Sequence, residues 1–97
     1  MGRATREKPL RLAEKLLQIR HAQGLSQSEM MQRLGMGNSS YRHYISAFEN
    51  GSREPSLPML LRYAQVANVW VDYLIDDALN LPDQLPNANR SNAKTPK

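Results

Sequence analysis

Residues 24–51 read GLSQSEMMQRLGMGNSSYRHYISAFENG, and they carry the signals of two short helices joined by a turn. The segment Ser26-Gln-Ser-Glu29 is a capping box. In such a box the serine hydroxyl accepts from the third backbone N–H while the glutamate reaches back to the N–H of the cap. Met30, Met31 and Leu34 supply the apolar side of this helix, and Gly35 ends it. Residues 36–40, rich in Gly, Asn and Ser, read as a turn. Tyr41, Ile45 and Phe48 then fall at i, i+4 and i+7, the spacing of one apolar stripe on the next helix. His43, Ser46, Ala47 and Asn50 project from its other side with Arg42 on the flank, and Asn50-Gly51 closes it.

Working outward from this unit, a first helix is expected from Pro9, a good first-turn residue, to the stop at Gly24. Leu12, Leu16 and Ile19 recur along it at helical spacing, with Leu10, Ala13 and Leu17 beside them. On the far side, the polar loop Ser52-Arg-Glu-Pro55 leads to a fourth helix capped by Ser56, with Pro58 tolerated in its first turn. Leu60, Leu61, Ala64 and Ala67 are its expected buried side. Val69, Val71, Leu74 and Ile75 continue into a short fifth helix that fades after Asp77. Residues 1–8 read as a flexible basic arm, 9–79 as the folded domain, and 80–97 as a polar, disordered tail from which Leu81 and Leu85 can dock back. The expected fold class is all-α, a compact five-helix domain with flexible N- and C-terminal tails.

Composition narrows the function classes. A chain of 97 residues holds one domain with one modest core. It has no Cys, which excludes a disulfide framework and a thiolate metal site. No apolar run approaches the ~20 residues of a membrane span, and the N-terminus lacks the apolar stretch of a signal peptide. A soluble cytoplasmic protein without contact to a membrane is the expectation. The formal charge of +4 is unevenly spread. Residues 9–79 carry seven bases (Arg11, Lys15, Arg20, Arg33, Arg42, Arg53, Arg62) and seven acids (Glu14, Glu29, Glu49, Glu54, Asp72, Asp76, Asp77). The excess therefore sits in the ends, a pattern compatible with a polyanionic partner.

Two short helices joined by a turn, the second with a polar outward face, fit a DNA major groove. Residues 12–77 resemble the phage repressor and Cro helix-turn-helix family, a lambda-repressor-like class that includes xenobiotic-response-element-like transcriptional regulators. The resemblance is carried by Leu16-x2-Ile19-Arg20, Gly24-Leu-Ser-Gln27-Ser-Glu29, Leu34-Gly35 and Ile45-x2-Phe48-Glu49-Asn-Gly51. Arg53-Glu-Pro-Ser56-Leu57, Leu60-Leu61-x2-Ala64 and Val69-x-Val71-Asp72-x-Leu74 complete it. Each fragment is weak alone, and their order and spacing make the signal.

The resemblance implies a sequence-specific transcriptional regulator on double-stranded DNA, either a repressor that excludes polymerase or an activator that recruits it. It gives Gln27 a phosphate contact, and a helix N-terminus, where N–H groups and dipole attract an anion, suits that role. The resemblance makes Arg20 and Glu49 a structural ion pair. Arg42, His43, Ser46 and Ala47 are the candidate base readers: Arg takes guanine O6 and N7, and the Ala47 methyl meets a thymine methyl. Asn50, Ser52 and Arg53 are the candidate phosphate contacts, the alternative for Arg53 being a surface pair with Glu54. Thirteen residues separate Gly35 from Glu49, a longer connection than is common in that family. Either the turn bulges and Arg42 and His43 stay in the first exposed turn, or the helix starts earlier and brings Asn38, Ser39 or Ser40 to the groove.

Trp70, with Tyr73, is expected to project outward as a homodimer surface, the alternative being a ring folded over Leu81 or Leu85. A competing function is an antitoxin, or another interaction protein that holds a toxin-like partner and also binds its own promoter. An enzyme is disfavoured: no paired carboxylates, activated nucleophile or phosphate loop is found, and Asp76 and Asp77 point apart on a helix. No cofactor is expected. No metal site is expected either, since His21 and His43 lie on separate helices without fitting partners.

Overall fold

In the computed structural model, residues 8–36 and 42–83 are described, without the Arg42 side chain. Residues 1–7 of the basic arm, the turn at 37–40, Tyr41, the Arg42 side chain and Leu85 lie outside the described residues. The chain forms α1 (Leu12–Ala22), α2 (Gln27–Arg33), α3 (Arg42–Asn50), α4 (Leu57–Ala67) and α5 (Asp72–Ile75). No strand occurs among the described residues.

α1 turns Leu12, Leu16 and Ile19 into the core, where it meets α3 and α5. It begins later than the Pro9 start that composition suggests, and Leu10 is 85% exposed. The reason is at the other end of the domain. No local side chain caps α1; instead the Asp77 carboxylate accepts the Leu10 N–H at 2.8 Å and the Arg11 N–H at 3.0 Å. These bonds serve donors that a helix start leaves without intrahelical partners. Arg11 returns the contact, its Nη1 donating to Asp77 O at 2.9 Å and its Nη2 to Asn80 Oδ1 at 2.8 Å.

Lys15 completes this polar clasp. It lies on the buried stripe, three residues after Leu12 and four before Ile19, and is wholly inaccessible to solvent. Its Nζ donates to Tyr73 O at 2.8 Å and Asp76 O at 3.0 Å, so α5 hangs from α1 by a buried ammonium. Burial, with Arg11 nearby, pulls the Lys15 pKa below its ordinary value, while Asp77, Asp76 and Glu14 pull the other way.

α4 starts at Ser56, whose hydroxyl accepts the Met59 N–H at 3.3 Å, with proline in the first turn. Its buried side is Leu60, Tyr63, Ala64 and Ala67. That set follows i, i+3, i+4, i+7, which turns Leu61, expected inward, to the surface. On α5, Leu74 lies in the core and Ile75 is exposed. Leu81, just beyond α5, is buried with them.

Tyr63 is fully buried, and its hydroxyl has no hydrogen-bond partner among the described residues. Burial raises its pKa well above the ordinary value. An unpaired buried hydroxyl costs about 1–3 kcal/mol. Tyr63→Phe is therefore expected to leave the urea-unfolding midpoint unchanged or raise it; a clear fall would reveal a bond to that oxygen.

Asp77 gives a pH prediction. Accepting the Leu10 and Arg11 N–H groups holds its pKa below the ordinary 3.8. The stability it contributes is thus present above pH 3.8 and is lost as pH falls through the lower folded value. Thermal unfolding should show a gap in Tm between wild type and Asp77→Asn at neutral pH, and that gap should close on acidification.

Candidate nucleic-acid interface

The segment 24–51 builds its own support. Ser26 and Glu29 form the full reciprocal box, Glu29 N–H to Ser26 Oγ at 3.0 Å and Ser26 N–H to Glu29 Oε1 at 2.8 Å. α2 buries Met30 and Met31, then leaves through Leu34 and Gly35, whose φ of +81° suits glycine. Arg62 of α4 covers that end, its Nη1 donating to Leu34 O at 3.0 Å.

α3 is fixed at its C-terminal end by charge. Arg20 Nε donates to Glu49 Oε2 at 2.7 Å and Arg20 Nη2 to Glu49 Oε1 at 3.0 Å. This is a two-pronged pair, with side-chain exposures of only 14% and 6%. The third nitrogen, Nη1, donates to Leu25 O at 2.9 Å, which ties the pair to the chain entering α2. Bonding to Glu49 raises the Arg20 pKa further. Gln27 Nε2 adds a bond to Glu49 Oε1 at 3.2 Å, so the carboxylate collects α1, α2 and α3 at one point.

The two sides of α3 differ. Ile45 and Phe48 are buried, His43 and Asn50 are exposed, and Ser46 and Ala47 are half-buried. Beyond Asn50 the chain folds back on the helix. Ser52 and Arg53 N–H groups donate to Ala47 O at 3.0 and 3.2 Å. Asn50 Oδ1 also accepts from the Ser52 N–H at 2.9 Å. Gly51, at φ +84°, makes the reversal, and a Cβ there would sit 3.8 Å from Ala13 Cβ. Asn50, Ser52 and Arg53 thereby share one turn with Ala47. Trp70 and Tyr73 belong to the α4–α5 connection and α5; Trp70 is 53% exposed and Tyr73 half-buried.

A family model for helix-turn-helix proteins matches residues 16–74, more than half of the chain. The chain belongs to the helix-turn-helix family, of the phage repressor and Cro type. Among curated proteins and among solved structures, no match was found. DNA binding in transcription regulation is the coarse function that membership of the helix-turn-helix family assigns. No group of His, Asp or Glu suited to a metal occurs among the described residues, and none of their helices is long and apolar enough to cross a membrane.

Side-chain bonding reduces the cations that the helix-turn-helix domain can offer to a polyanion. Arg11, Lys15, Arg20 and Arg62 all donate to acceptors within the domain. Arg53 is exposed, and its guanidinium lies over the Tyr44 ring, 4.4 Å from the centroid. Spacing alone assigns Tyr44 no role, although its position four residues before Phe48 marks it as a neighbour of the buried stripe. Nor does spacing single out Lys15, whose charge argues against a core position, or Tyr63, although both are fully buried.

The Arg20–Glu49 pair sets a stability prediction. Removing one member of a buried pair leaves an uncompensated charge and costs about 3–5 kcal/mol. Glu49→Ala is expected to lose that much in urea unfolding, and the apolar double variant Arg20→Met with Glu49→Leu to recover most of it. Equal losses in both variants would mean that the pair's charges carry little of the effect.

Proposed function

We propose that this chain is a sequence-specific transcriptional regulator that binds double-stranded DNA with α3 in the major groove. The observation that carries the reading is the two-sidedness of α3. Its apolar residues are buried on α1 and α2, and its other side carries exposed His43 and Asn50 with half-buried Ser46 and Ala47 between them, on a helix anchored through Glu49. A B-DNA major groove admits one α-helix and displays a distinct donor and acceptor pattern for each base pair.

Arg42, His43, Ser46 and Ala47 are the proposed base readers. Gln27, Asn50, Ser52 and Arg53 are the proposed phosphate contacts, which fix register without reading sequence. A carboxamide NH2 carries two donors, so Gln27 can hold Glu49 with one and a phosphate with the other. The Asn50 oxygen is engaged by Ser52 N–H, which leaves its NH2 to offer. Lys8, where the basic arm meets the domain, lines a shallow cleft with Ser52 and Arg53, which supports a path for the arm along the duplex.

Binding as a homodimer completes the proposal, with exposed Trp70 and neighbouring Tyr73 as the contact surface. Half-sites would then repeat at ~34 Å. That exposed indole is also what keeps the second reading, an antitoxin-like protein that grips a partner and binds its own promoter. Under either reading the protein works in the cytoplasm and is not an enzyme.

Selection of bound sites from random duplexes at a stated salt concentration tests the function. It is expected to return one motif with inverted-repeat symmetry; recovery of no motif would reject sequence-specific binding. On the selected site, Arg42→Ala should cost about 1–3 kcal/mol and relax preference at one base pair. Arg53→Ala should weaken selected and random duplexes alike and lower the slope of log K against log salt by ~1. Equal losses on both duplexes for both variants would reject this division of labour.

A further inference from the structure

We infer that Tyr44 is a positioning residue for DNA contact, holding Arg53 and His43 as one preformed unit; the inference rests on the DNA-binding reading above. A chain of rings leads from the core to this point. Tyr63, fully buried, meets Phe48 edge to face, with centroids 6.4 Å apart. Phe48 lies near-parallel to Tyr44 at 6.5 Å, with 16° between planes. Half-buried Tyr44 is thus anchored through Phe48 to the buried core of the domain. On its surface end it meets the side chains of Arg53 and His43. The Arg53 guanidinium carbon sits 4.4 Å from the ring centroid, and the His43 ring centroid lies 4.3 Å away.

The consequence is preorganisation. An arginine on an open turn samples many rotamers and must surrender them when it meets a phosphate. Arg53 has its backbone pinned to Ala47 O by its N–H and its guanidinium placed on an aromatic face. A guanidinium held over an aromatic face needs none of its N–H donors for that contact, so they are left to take phosphate oxygens. Because His43 rests on the same ring, a proposed base contact and a proposed phosphate contact share one support. Tyr44 acts through Arg53 and His43 and needs no contact with DNA itself.

The test uses the full chain as wild type, Tyr44→Phe, Tyr44→Leu, Arg53→Ala and the Tyr44→Leu with Arg53→Ala double variant. In the free protein, the Arg53 Nε–H proton should show a ring-current shift in wild type and Tyr44→Phe and lose it in Tyr44→Leu. On a duplex selected by the wild type, Tyr44→Phe should bind as wild type. Tyr44→Leu should bind about two- to five-fold more weakly, the scale of an exposed cation–π contact. Much of that loss should vanish when Arg53 is already alanine. An Arg53 resonance indifferent to Tyr44→Leu, or the same loss of affinity with and without Arg53, would overturn the inference while leaving DNA binding intact. A wild type that selects no duplex, even with the resonance behaving as expected, would reject the DNA reading and the positioning role with it.

Discussion

The ion pair between Arg20 and Glu49 is the constraint on which the presentation of α3 depends. Apolar contact through Ile45 and Phe48 drives α3 onto its neighbours, yet such contact is non-directional and tolerates rotation of a short helix. A two-pronged bond between a guanidinium and a carboxylate does not, because both N–H vectors must meet their oxygens together. Glu49 lies one residue from the end of α3, and Arg20 is near the end of α1. The bond therefore fixes the roll of α3 about its own axis, which decides which residues face outward. Gln27 brings the start of α2 to the same carboxylate, and Arg20 Nη1 holds the chain just before α2. Ion pairs of this kind contribute orientation more surely than net stability, since desolvation offsets much of the attraction.

The other end of the domain is closed by a different device. Asp77, Arg11 and Lys15 link residues more than fifty positions apart, with backbone groups as most of the partners. Together with the Arg20 pair and the Arg62 bond to α2, they direct much of the domain's positive charge inward. A domain whose balanced charge is so largely spent internally cannot hold a polyanion by bulk attraction. Affinity must then come from a few well-placed groups, which makes the anchoring of Arg53 on Tyr44 consequential. The basic residues of the arm would add the non-specific component.

What the sequence makes legible follows the range of each interaction. The capping box at Ser26 and the Ile45–Phe48 stripe depend on residues within one or two turns, so spacing alone reveals them. The Arg20–Glu49 pair spans 29 positions and was legible only through family resemblance. The Asp77 cap could be anticipated only as a gap, because Pro9-Leu10-Arg11 offers no side chain able to cap α1. Lys15 is hidden by its charge: its spacing is that of a core residue, but nothing local shows that the carbonyls of Tyr73 in α5 and of Asp76 just after it await it. The Tyr44–Arg53 contact was illegible because it requires the turn at Gly51 to fold back on α3. A helix bound departs from local pattern where a distant partner competes with it, as at Leu10, whose N–H is taken by Asp77.

The central claim is that the outward face of α3 and the turn after it form the contact surface. Titration of isotope-labelled protein with a duplex that it selects, followed residue by residue through backbone and side-chain resonances, tests this most directly. The account expects the largest changes at His43, Ser46, Ala47, Asn50, Ser52 and Arg53, with Lys15 and Ala64 nearly still. Changes concentrated on Leu57, Leu61 and Trp70, with α3 silent, would contradict it.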